Sequence, residues 1–436
     1  MEKPINKLPP FWLRWAVWLA VSLVMCGGYY VYDSISPLAD VLQTQLGFSD
    51  RHIGILQAVY NLPNIIMVLL GGLIIDRIGT RRAAVLFSFF VMLGAGLTAV
   101  SPDIRIMAAG RLLFGMGAES SIVAITTVLA RWFRHRELSL AFALNLTIAR
   151  MGTLLALNSP SWAAEAYLHW QGPLWIAASA GILALVLALV FYFLDAVFAP
   201  RYALPAEGSQ DKMVWKEVFR FDASFWYLTC ICAVFYASIF PFQTFAVKFF
   251  QEVHGISREA GGFLSGILAI MTMIFTPVFG VMADHMKRRE SLLLAGSFFL
   301  LPVYLLMLIP WSRGLEPVLL DLPLFSIDVE LPWHLLLPML SMGLGFSMLP
   351  SVLWPLVSLT ISSHKLGTAY GLMTMIQNVV IGLTNLAVGY ANDFFGASGS
   401  HPEGYLPGMG LFTLWIVIAI LASHMLLRMK PSESPS

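Results

Sequence analysis

Long apolar stretches separated by short polar breaks run through the whole 436-residue chain. A helix that crosses the hydrocarbon core of a bilayer, roughly 30 Å thick, needs about 20 mainly apolar residues. Twelve stretches reach this length, so the pattern predicts twelve membrane-spanning helices, which we number in chain order. The predicted spans are residues 12–32, 51–75, 82–101, 104–130, 138–160, 173–194, 223–248, 260–283, 290–310, 334–361, 366–391 and 408–428.

The composition agrees with a lipid environment. Hydrophobic residues make up 58% and charged residues 12% of the chain, whereas soluble domains are nearer half apolar and a quarter charged. We therefore expect an all-α membrane protein. Its first span is predicted to be retained, since no signal-peptidase site follows it. The net charge of +1 gives no reason to expect a nucleic-acid partner.

The three cysteines, Cys26, Cys230 and Cys232, all lie in apolar runs. Their spacing matches neither a metal site nor a disulfide framework. The sequence also contains no recognisable nucleophile–base set or cluster of metal ligands. We therefore expect no cofactor, no metal and no enzymatic activity.

Lys and Arg residues are distributed unevenly between the two sets of loops. With the N-terminus placed inside, nineteen of the 26 basic residues fall in inner loops or tails and five in outer loops. Positive residues accumulate on the cytoplasmic side of membrane proteins, so both termini are predicted to be cytoplasmic. The longest inner loop, 196–222, divides the chain into six-helix bundles at 1–195 and 223–436. The outer segment 311–333 alternates in character and predicts a small hairpin.

Two inner loops that lie 208 residues apart share a motif. GLIIDRIGTRR at 72–82 follows span 2, and GVMADHMKRRE at 280–290 follows span 8. A repeat of about half the chain indicates two copies of one six-helix unit. Gly72 and Gly280 are predicted to permit close helix contact, and Asp76 to face the positive N-terminus of span 11 and latch the bundles together. The alternative is a loop that only enforces topology. The predicted signature and gating residues are Gly72, Asp76, Arg77, Gly79, Arg81, Arg82 and Asp284.

These motifs carry a family resemblance. The pattern G-x3-D-R-x-G-x-R-R after span 2 resembles the signature loop of the major facilitator superfamily, and GRLLFGMG at 110–117 is similar to that superfamily's motif in span 4. The resemblance implies the two-bundle, twelve-helix fold of that family and transport by alternating access. The second copy departs from the pattern, because Lys287 replaces the second glycine. Span 5 lacks the Gly/Pro-rich pattern of drug–proton antiporters, which argues against drug export.

Two charged residues, Glu119 and Arg150, fall inside predicted spans 4 and 5. A charge at the middle of a membrane helix costs about 2.5–3.5 kcal/mol and marks a functional candidate. At about 1.5 Å per residue, Glu119 lies roughly 18 Å and Arg150 roughly 21 Å from the inner loop, so their depths match. One interpretation is a buried ion pair that holds the helices together. The other is a zwitterion site in which Arg150 binds a carboxylate and Glu119 binds an ammonium group. In an empty site the two are expected to pair with each other.

The sequence around this pair resembles one branch of the superfamily, the lysosomal dipeptide transporters that are reported as uniporters. The resemblance lies in segments 118–152 and 350–393 and in YDSISPLAD after span 1. It implies dipeptide substrates, with Glu119 and Arg150 contacting the amino and carboxyl ends of the peptide. Proton-coupled oligopeptide carriers instead have an E-x-x-E-R motif in span 1. Span 1 here contains no Glu or Lys, so proton coupling of that kind is unsupported.

Polar and aromatic residues at the depth of the pair form a second set of candidates. Amides and phenols can bind a peptide bond without selecting side chains, although interhelical hydrogen bonds are their commoner use. Pro350 and Pro355 are expected to bend span 10 beside Trp354, which then serves as a platform or gate. Asp33 is predicted to be interfacial, and Arg111, near the outer edge, to snorkel or cap in a structural role. Together with Glu119 and Arg150, the predicted substrate-binding residues are Tyr29, Tyr30, Tyr60, Asn64, Tyr236, Trp354, Gln377 and Asn378; Tyr32, Asn61, Gln243 and Asn385 are further candidates.

Three functions remain open on this basis. The first is a transporter of small zwitterions, above all dipeptides, acting as a monomer in the bilayer with no accessory subunit assigned. The second is a proton-coupled symporter of organic anions or other small solutes, and the third is a non-transporting receptor or scaffold. The one N-x-S/T site, at Asn145, lies inside span 5, where it could not be glycosylated, and the N-terminal tail has no acidic dileucine signal. Both observations favour a bacterial inner membrane over a lysosomal membrane.

Overall fold

The computed structural model describes residues 9–133, 137–202, 204, 221–309, 314–323, 327–361 and 365–429. Twelve helices in these ranges cross the molecule, and we number them in chain order. They are α1 (Phe11–Asp33), α2 (Asp50–Ile78), α3 (Thr80–Val100), α4 (Ile104–Phe133), α5 (Leu138–Leu157), α6 (Gln171–Phe198), α7 (Ala223–His254), α8 (Arg258–His285), α9 (Ser291–Leu300, continued by Val303–Leu306), α10 (Trp333–Thr360), α11 (Leu366–Phe394) and α12 (Leu406–Arg428).

The prediction of twelve membrane helices is confirmed. Ten of the described helices are each long and apolar enough to cross a bilayer. The eleventh, α2, is bent by 56° between Met67 and Leu70, shortly after Pro63, which removes a backbone donor from the helix. The twelfth, α9, is shorter because Pro302 interrupts its hydrogen-bond ladder. Observed helix ends lie within six residues of the predicted ones.

Helices α1–α6 pack into one bundle and α7–α12 into a second, as the two-copy pattern predicts. Within the first bundle, α3 packs along α4 and α6; within the second, α8 packs along α10. The bundles meet mainly where α2 lies against α11 and where α5 lies against α8. The central cavity described below lies between them.

The helix ends define two faces of the molecule. We call the inner face the one where the start of α1 meets the ends of α4 and α6. There Trp15 contacts the ring of Phe133 with centroids 5.5 Å apart, and Trp12 contacts Phe198 at 6.1 Å. The outer face is the opposite one, where segments 34–49 and 158–170 are joined by a hydrogen bond from Gln45.

Two connecting segments bear on the sequence predictions. Gly79 joins α2 to α3 with φ 82°, a backbone conformation that favours glycine, so this signature glycine has a clear structural reason. In the second copy, Lys287 stands at the matching position and is not among the described residues with positive φ, so no glycine is needed there. The predicted outer hairpin is present: strands β1 (Val318–Leu322) and β2 (Ile327–Leu331) pair antiparallel. Most of the predicted central loop, residues 205–220, lies outside the described ranges.

One part of the motif prediction needs correction. A Cβ atom placed on Gly280 would have no atom of the described residues within 4 Å, so this glycine makes no close helix contact here. Gly71 does instead: its Cβ would lie 2.8 Å from the Ser120 hydroxyl. Close packing near the first motif is therefore observed at Gly71, between α2 and α4.

Arg111 is buried inside the first bundle, with 1% of its surface exposed. Its guanidinium donates to the backbone oxygens of Val31 at 3.0 Å, Tyr32 at 3.3 Å and Leu56 at 3.4 Å, and to the side chain of Gln57. These bonds join α4 to α1 and α2. They fit the predicted structural role, but the predicted snorkelling is wrong, because the neighbouring helices enclose the side chain.

Candidate functional site

A cavity of about 1010 Å³ lies between the two bundles. The first bundle contributes wall residues mainly from α1, α2, α4 and α5, and the second from α7, α8, α10 and α11. Ligand pockets usually have volumes of about 300–1,000 Å³, so this cavity has room for a small molecule. Its polar and aromatic lining residues include Tyr29, Tyr32, Asp33, Tyr60, Asn61, Glu119, Arg150, Thr153, Tyr236, Phe240, Gln243, Thr272, Phe346, Trp354, Tyr370, Thr374, Gln377 and Asn378.

A phenol holds Glu119 on the first-bundle wall. Tyr60 Oη donates to Glu119 Oε1 at 3.2 Å, and the Tyr60 ring stacks on Phe114 with centroids 5.0 Å apart. Within the described ranges this is the one hydrogen bond of Glu119. Its second carboxylate oxygen is therefore available to a ligand in the cavity.

Arg150 contacts both bundles through aromatic rings. Its guanidinium lies 5.3 Å from the ring of Tyr29 on α1 and 5.7 Å from the ring of Phe346 on α10, distances at which cation–π attraction operates. Among the described residues, no ion pair within 4.0 Å joins Arg150 to Glu119. The predicted pairing in an empty site is therefore wrong, because other groups hold each charge. The two charges line the cavity separately, as binding of a zwitterion requires.

Eight of the ten predicted substrate-binding residues line the cavity. The exceptions, Tyr30 and Asn64, are corrections to the prediction. Tyr30 is turned about 100° from Tyr29 around α1, and its ring lies 6.3 Å from that of Trp162 instead. Asn64 is fully buried where α2 meets α11 and donates to Asn378 Oδ1 at 3.5 Å. Of the further candidates, the lining includes Tyr32, Asn61 and Gln243 but not Asn385.

Asp33 is a cavity residue that the sequence analysis missed. It was predicted to be interfacial, but it is only 7% exposed and lines the cavity. The chain stays buried beyond α1, since Ile35 and Leu38 have no exposed surface and this segment packs against α7. Asp33 lies close enough to Arg150 for electrostatic interaction. Its spacing of four residues from Tyr29 is the signal that places both on one helix face.

Contacts between the bundles close the cavity toward the outer face. Ser36 Oγ donates to the backbone oxygen of Gln243 at 2.5 Å. The rings of Tyr32 and Phe240 meet nearly edge to face with centroids 6.3 Å apart. Three of these residues, Tyr32, Phe240 and Gln243, also line the cavity, so the same contacts form its roof.

A buried ion pair seals the outer face beyond this roof. Lys248 Nζ of α7 donates to Asp50 Oδ1 of α2 at 2.6 Å, and the two side chains are only 5% and 2% exposed. Gln43 Nε2 donates to the same Asp50 oxygen at 2.6 Å, and Asn392 Nδ2 of α11 donates to Asp50 Oδ2 at 2.9 Å. Glu252 lies 3.6 Å from Lys248. Opening the outer face would expose or break this whole network.

Helices α2 and α11 are also joined by a cap at the outer face. The carboxylate of Asp393, near the end of α11, accepts hydrogen bonds from the backbone N–H groups of Asp50 at 2.9 Å and Arg51 at 3.0 Å. An anion is favoured at a helix N-terminus. A Cβ atom on Gly389 would lie 2.5 Å from the backbone oxygen of Asp50, so the two helices are in backbone contact here.

The cavity continues to the inner ends of the helices. Gly72 and Asp76 of α2, Trp354 of α10, and Gly367 and Tyr370 of α11 line this part. Within the described ranges Asp76 is exposed and makes no hydrogen bond or ion pair, so the predicted latch onto α11 is not formed in this conformation. Trp354 is tied to α11 by a bond from Tyr370 Oη to its backbone oxygen at 3.0 Å. Among the described residues, the cavity is therefore open toward the inner face and closed toward the outer face.

The remaining signature residues lie on the inner face, outside this cavity lining. Arg77 and Arg82 are exposed, and Arg81 is partly buried. Asp284 pairs within its own loop, 3.4 Å from Arg289 Nη2. The two copies of the motif therefore make different contacts.

Comparison with known proteins agrees with the fold and identifies the family of this chain. The Major Facilitator Superfamily profile matches residues 17–385. The chain is 30% identical over 394 residues to the lysosomal dipeptide transporter MFSD1 of Homo sapiens, covering 86% of this chain and 80% of that protein. It is 30% identical over 423 residues to the Danio rerio protein of the same name, covering 93% and 85%.

Solved structures share the fold at lower identity. A bacterial homolog of the human lysosomal transporter Spinster, in an inward-facing and unoccupied conformation, superposes with a TM-score of 0.73 at 16% identity, covering 97% of this chain and all of that chain. The nucleoside transporter NupG gives 0.70 at 14% identity, covering 96% of this chain and all of its own. At these identities the likeness concerns the fold alone.

Proposed function

Because the chain belongs to the major facilitator superfamily, we propose that it transports small zwitterionic solutes, above all dipeptides, by alternating access. The observation that carries this proposal is the separate presentation of Glu119 and Arg150 in one cavity between the bundles. A receptor or scaffold would not need a cavity that is closed on one face and open on the other. No chemistry beyond binding is required of either residue.

The charges suit the two ends of a zwitterion. A guanidinium can form two parallel hydrogen bonds to a carboxylate, and hydrogen bonds to charged groups contribute about 1.5–3 kcal/mol each. The free carboxylate oxygen of Glu119 accepts an ammonium group. Both residues belong to the first bundle, on α4 and α5, so their separation is set within one packed unit.

The opposite wall supports a dipeptide rather than a single amino acid. Gln377, Asn378 and Tyr236 of the second bundle offer amide and phenol groups to a peptide bond. Gln377 Oε1 accepts a hydrogen bond from Cys232 Sγ at 3.2 Å, which leaves its amide N–H groups for a ligand. The volume of about 1010 Å³ accommodates varied side chains. The relatives that are named dipeptide transporters favour the same substrate class.

Alternating access is proposed to use two reciprocal contacts between α2 and α11. At the outer face, Asp393 of α11 caps the N-terminus of α2. At the inner face, we propose that Asp76 of α2 caps the N-terminus of α11 once the outer contacts separate. Each contact joins the bundles on one face only, so forming one while breaking the other moves the opening across the membrane.

We propose uniport, because α1 lacks the E-x-x-E-R motif of proton-coupled peptide carriers. Dipeptide uptake should then be unaffected by an imposed pH gradient, and acceleration by inward proton flow would instead favour the symporter.

The inner face is proposed to be cytoplasmic, because most basic residues lie on it. The membrane is proposed to be a bacterial inner membrane. In intact cells, a membrane-impermeant thiol reagent should label Ser400→Cys, because this exposed position lies on the outer face. Protection from the reagent would show that the outer face is cytoplasmic and the orientation is the reverse of the one proposed.

Counterflow of a radiolabelled dipeptide into proteoliposomes tests the function directly. Arg150→Ala removes the proposed carboxylate contact, about 2–3 kcal/mol, so uptake below saturation should fall roughly 30- to 150-fold. Arg105→Ala is the matched control, since Arg105 is exposed on the outer face and outside the cavity lining. Unchanged flux in Arg150→Ala would refute the site. Binding without flux in the unaltered protein would support a receptor instead.

A further inference from the structure

A second, basic pocket lies in the first bundle at the inner face. Its volume is about 360 Å³, and its lining includes Gly79, Arg81, Arg82, Arg131 and Asp195. These residues come from the α2–α3 turn and the inner ends of α3, α4 and α6. It shares no lining residue with the central cavity, so it is not part of the proposed transport site.

The pocket carries a surplus of positive charge. Asp195 is 2% exposed, and one of its carboxylate oxygens, Oδ1, accepts hydrogen bonds from Arg131 Nη1 at 3.3 Å and Trp132 Nε1 at 3.1 Å. Among the described lining residues Asp195 is the one carboxylate, and Arg131 lies beside it. Arg81 and Arg82 remain as two further positive charges, and they lie in the first turn of α3, where the helix N-terminus also favours an anion.

The surroundings of the pocket are those of a lipid site. The Arg81 guanidinium lies 5.5 Å from the ring of Tyr192 on α6, which holds the side chain at the edge of the bundle. On the same helix, Phe193 is 62% and Val197 48% exposed, and these side chains project toward the bilayer from the side of α6 opposite Asp195. Ile78, which lines the pocket, is 36% exposed. A ligand in the pocket thus has basic groups at one end and the exposed apolar side chains of Ile78 and Pro200 beside it.

From this arrangement we propose that the pocket binds the phosphate headgroup of an anionic phospholipid. Basic pockets between membrane helices on the cytoplasmic side bind anionic lipid headgroups in other proteins. The exposed apolar side chains of Ile78 and Pro200 at its edge favour a lipid over free phosphate, because phosphate alone would gain nothing from them. The site would tie the first bundle to the inner leaflet.

Native mass spectrometry and thermal unfolding of the full chain with defined lipids test the proposal. Phosphatidylglycerol should be retained and should raise the unfolding midpoint, whereas phosphatidylcholine should not. Each arginine near an anionic surface contributes roughly fivefold to affinity. The double variant Arg81→Gln/Arg82→Gln should therefore lose about 25-fold, and Arg82→Gln alone, which alters only an exposed side chain, about fivefold.

The matched control is Lys287→Gln/Arg428→Gln, which removes two exposed positive charges from the inner face of the second bundle. It should retain phosphatidylglycerol as the unaltered protein does. Equal losses in the control and in the arginine variants would overturn the proposal, as would equal retention of the two lipids by the unaltered protein. Inorganic phosphate is the third arm. If it stabilises the protein as strongly as phosphatidylglycerol, the lipid assignment is overturned.

Discussion

Replacing Lys248 with Met tests whether the buried ion pair holds the outer face closed. Removing one partner of such a pair costs about 3–5 kcal/mol. Asp50 would keep its hydrogen bonds from Gln43 and Asn392, so we expect the lower end of this range, about 3 kcal/mol. Water reaches Asp50 when the outer face opens, so the penalty falls on the closed conformation alone. The ratio of outward-open to outward-closed protein should therefore rise roughly 150-fold.

Spin-label distances across the outer face measure this ratio. Thr44→Cys and Ser400→Cys place labels at exposed positions on the first and second bundles, in a protein whose three native cysteines are replaced by alanine. Lys248→Met should move the distance distribution toward longer values. Arg105→Gln, which removes an exposed outer-face charge, should leave it unchanged. The same distribution in Lys248→Met as in the parent protein would show that the ion pair does not control closure.

Two further substitutions test packing that the structure makes specific. A Cβ atom on Gly262 would lie 2.1 Å from the backbone oxygen of Leu157, where α8 meets α5. Gly262→Ala should therefore destabilise the outward-closed form by about 1–3 kcal/mol. The spin-label distance across the outer face should become longer as a result. Gly280→Ala, on the same helix but in open space, should leave this distance unchanged. Equal changes of distance in the two variants would show that contact at Gly262 does not stabilise the outward-closed form. Arg111→Met removes four hydrogen bonds from a buried guanidinium, three to backbone carbonyls and one to the Gln57 side chain, and should lower the free energy of unfolding by about 3 kcal/mol or more. Thermal unfolding in detergent checks this against Arg105→Met, and equal midpoints would contradict it.

The helices and the charged pair of the cavity were accessible from the sequence for separate reasons. Span lengths follow from bilayer thickness, and the observed helices keep to them. Glu119 and Arg150 stood out because a charge within a membrane helix is costly. Their equal depth followed from helix rise alone, and both line one cavity.

Other features could not be predicted from the sequence, because they depend on how each helix is rotated and on what it packs against. Three tyrosines lie near the end of α1. Without knowing how α1 is rotated about its own axis, Tyr30 could not be distinguished from Tyr29 as a residue that does not line the cavity. Asp33 looked interfacial because the burial of the following segment depends on contact with α7 from the other half of the chain. The pairing of Asp50 with Lys248 joins residues 198 positions apart. It belongs to one conformation of a protein that is proposed to adopt at least two.

The most direct test of zwitterion recognition is a calorimetric binding cycle with blocked dipeptides. Dialanine, its N-acetyl form and its C-terminal amide would be titrated into the unaltered protein, Glu119→Gln and Arg150→Gln. Amidation and Arg150→Gln should each weaken binding roughly 30-fold or more, and together they should cost little more than either alone; N-acetylation and Glu119→Gln should behave likewise. Such non-additivity identifies groups in contact. Fully additive losses would show that Glu119 and Arg150 do not hold the ends of the peptide.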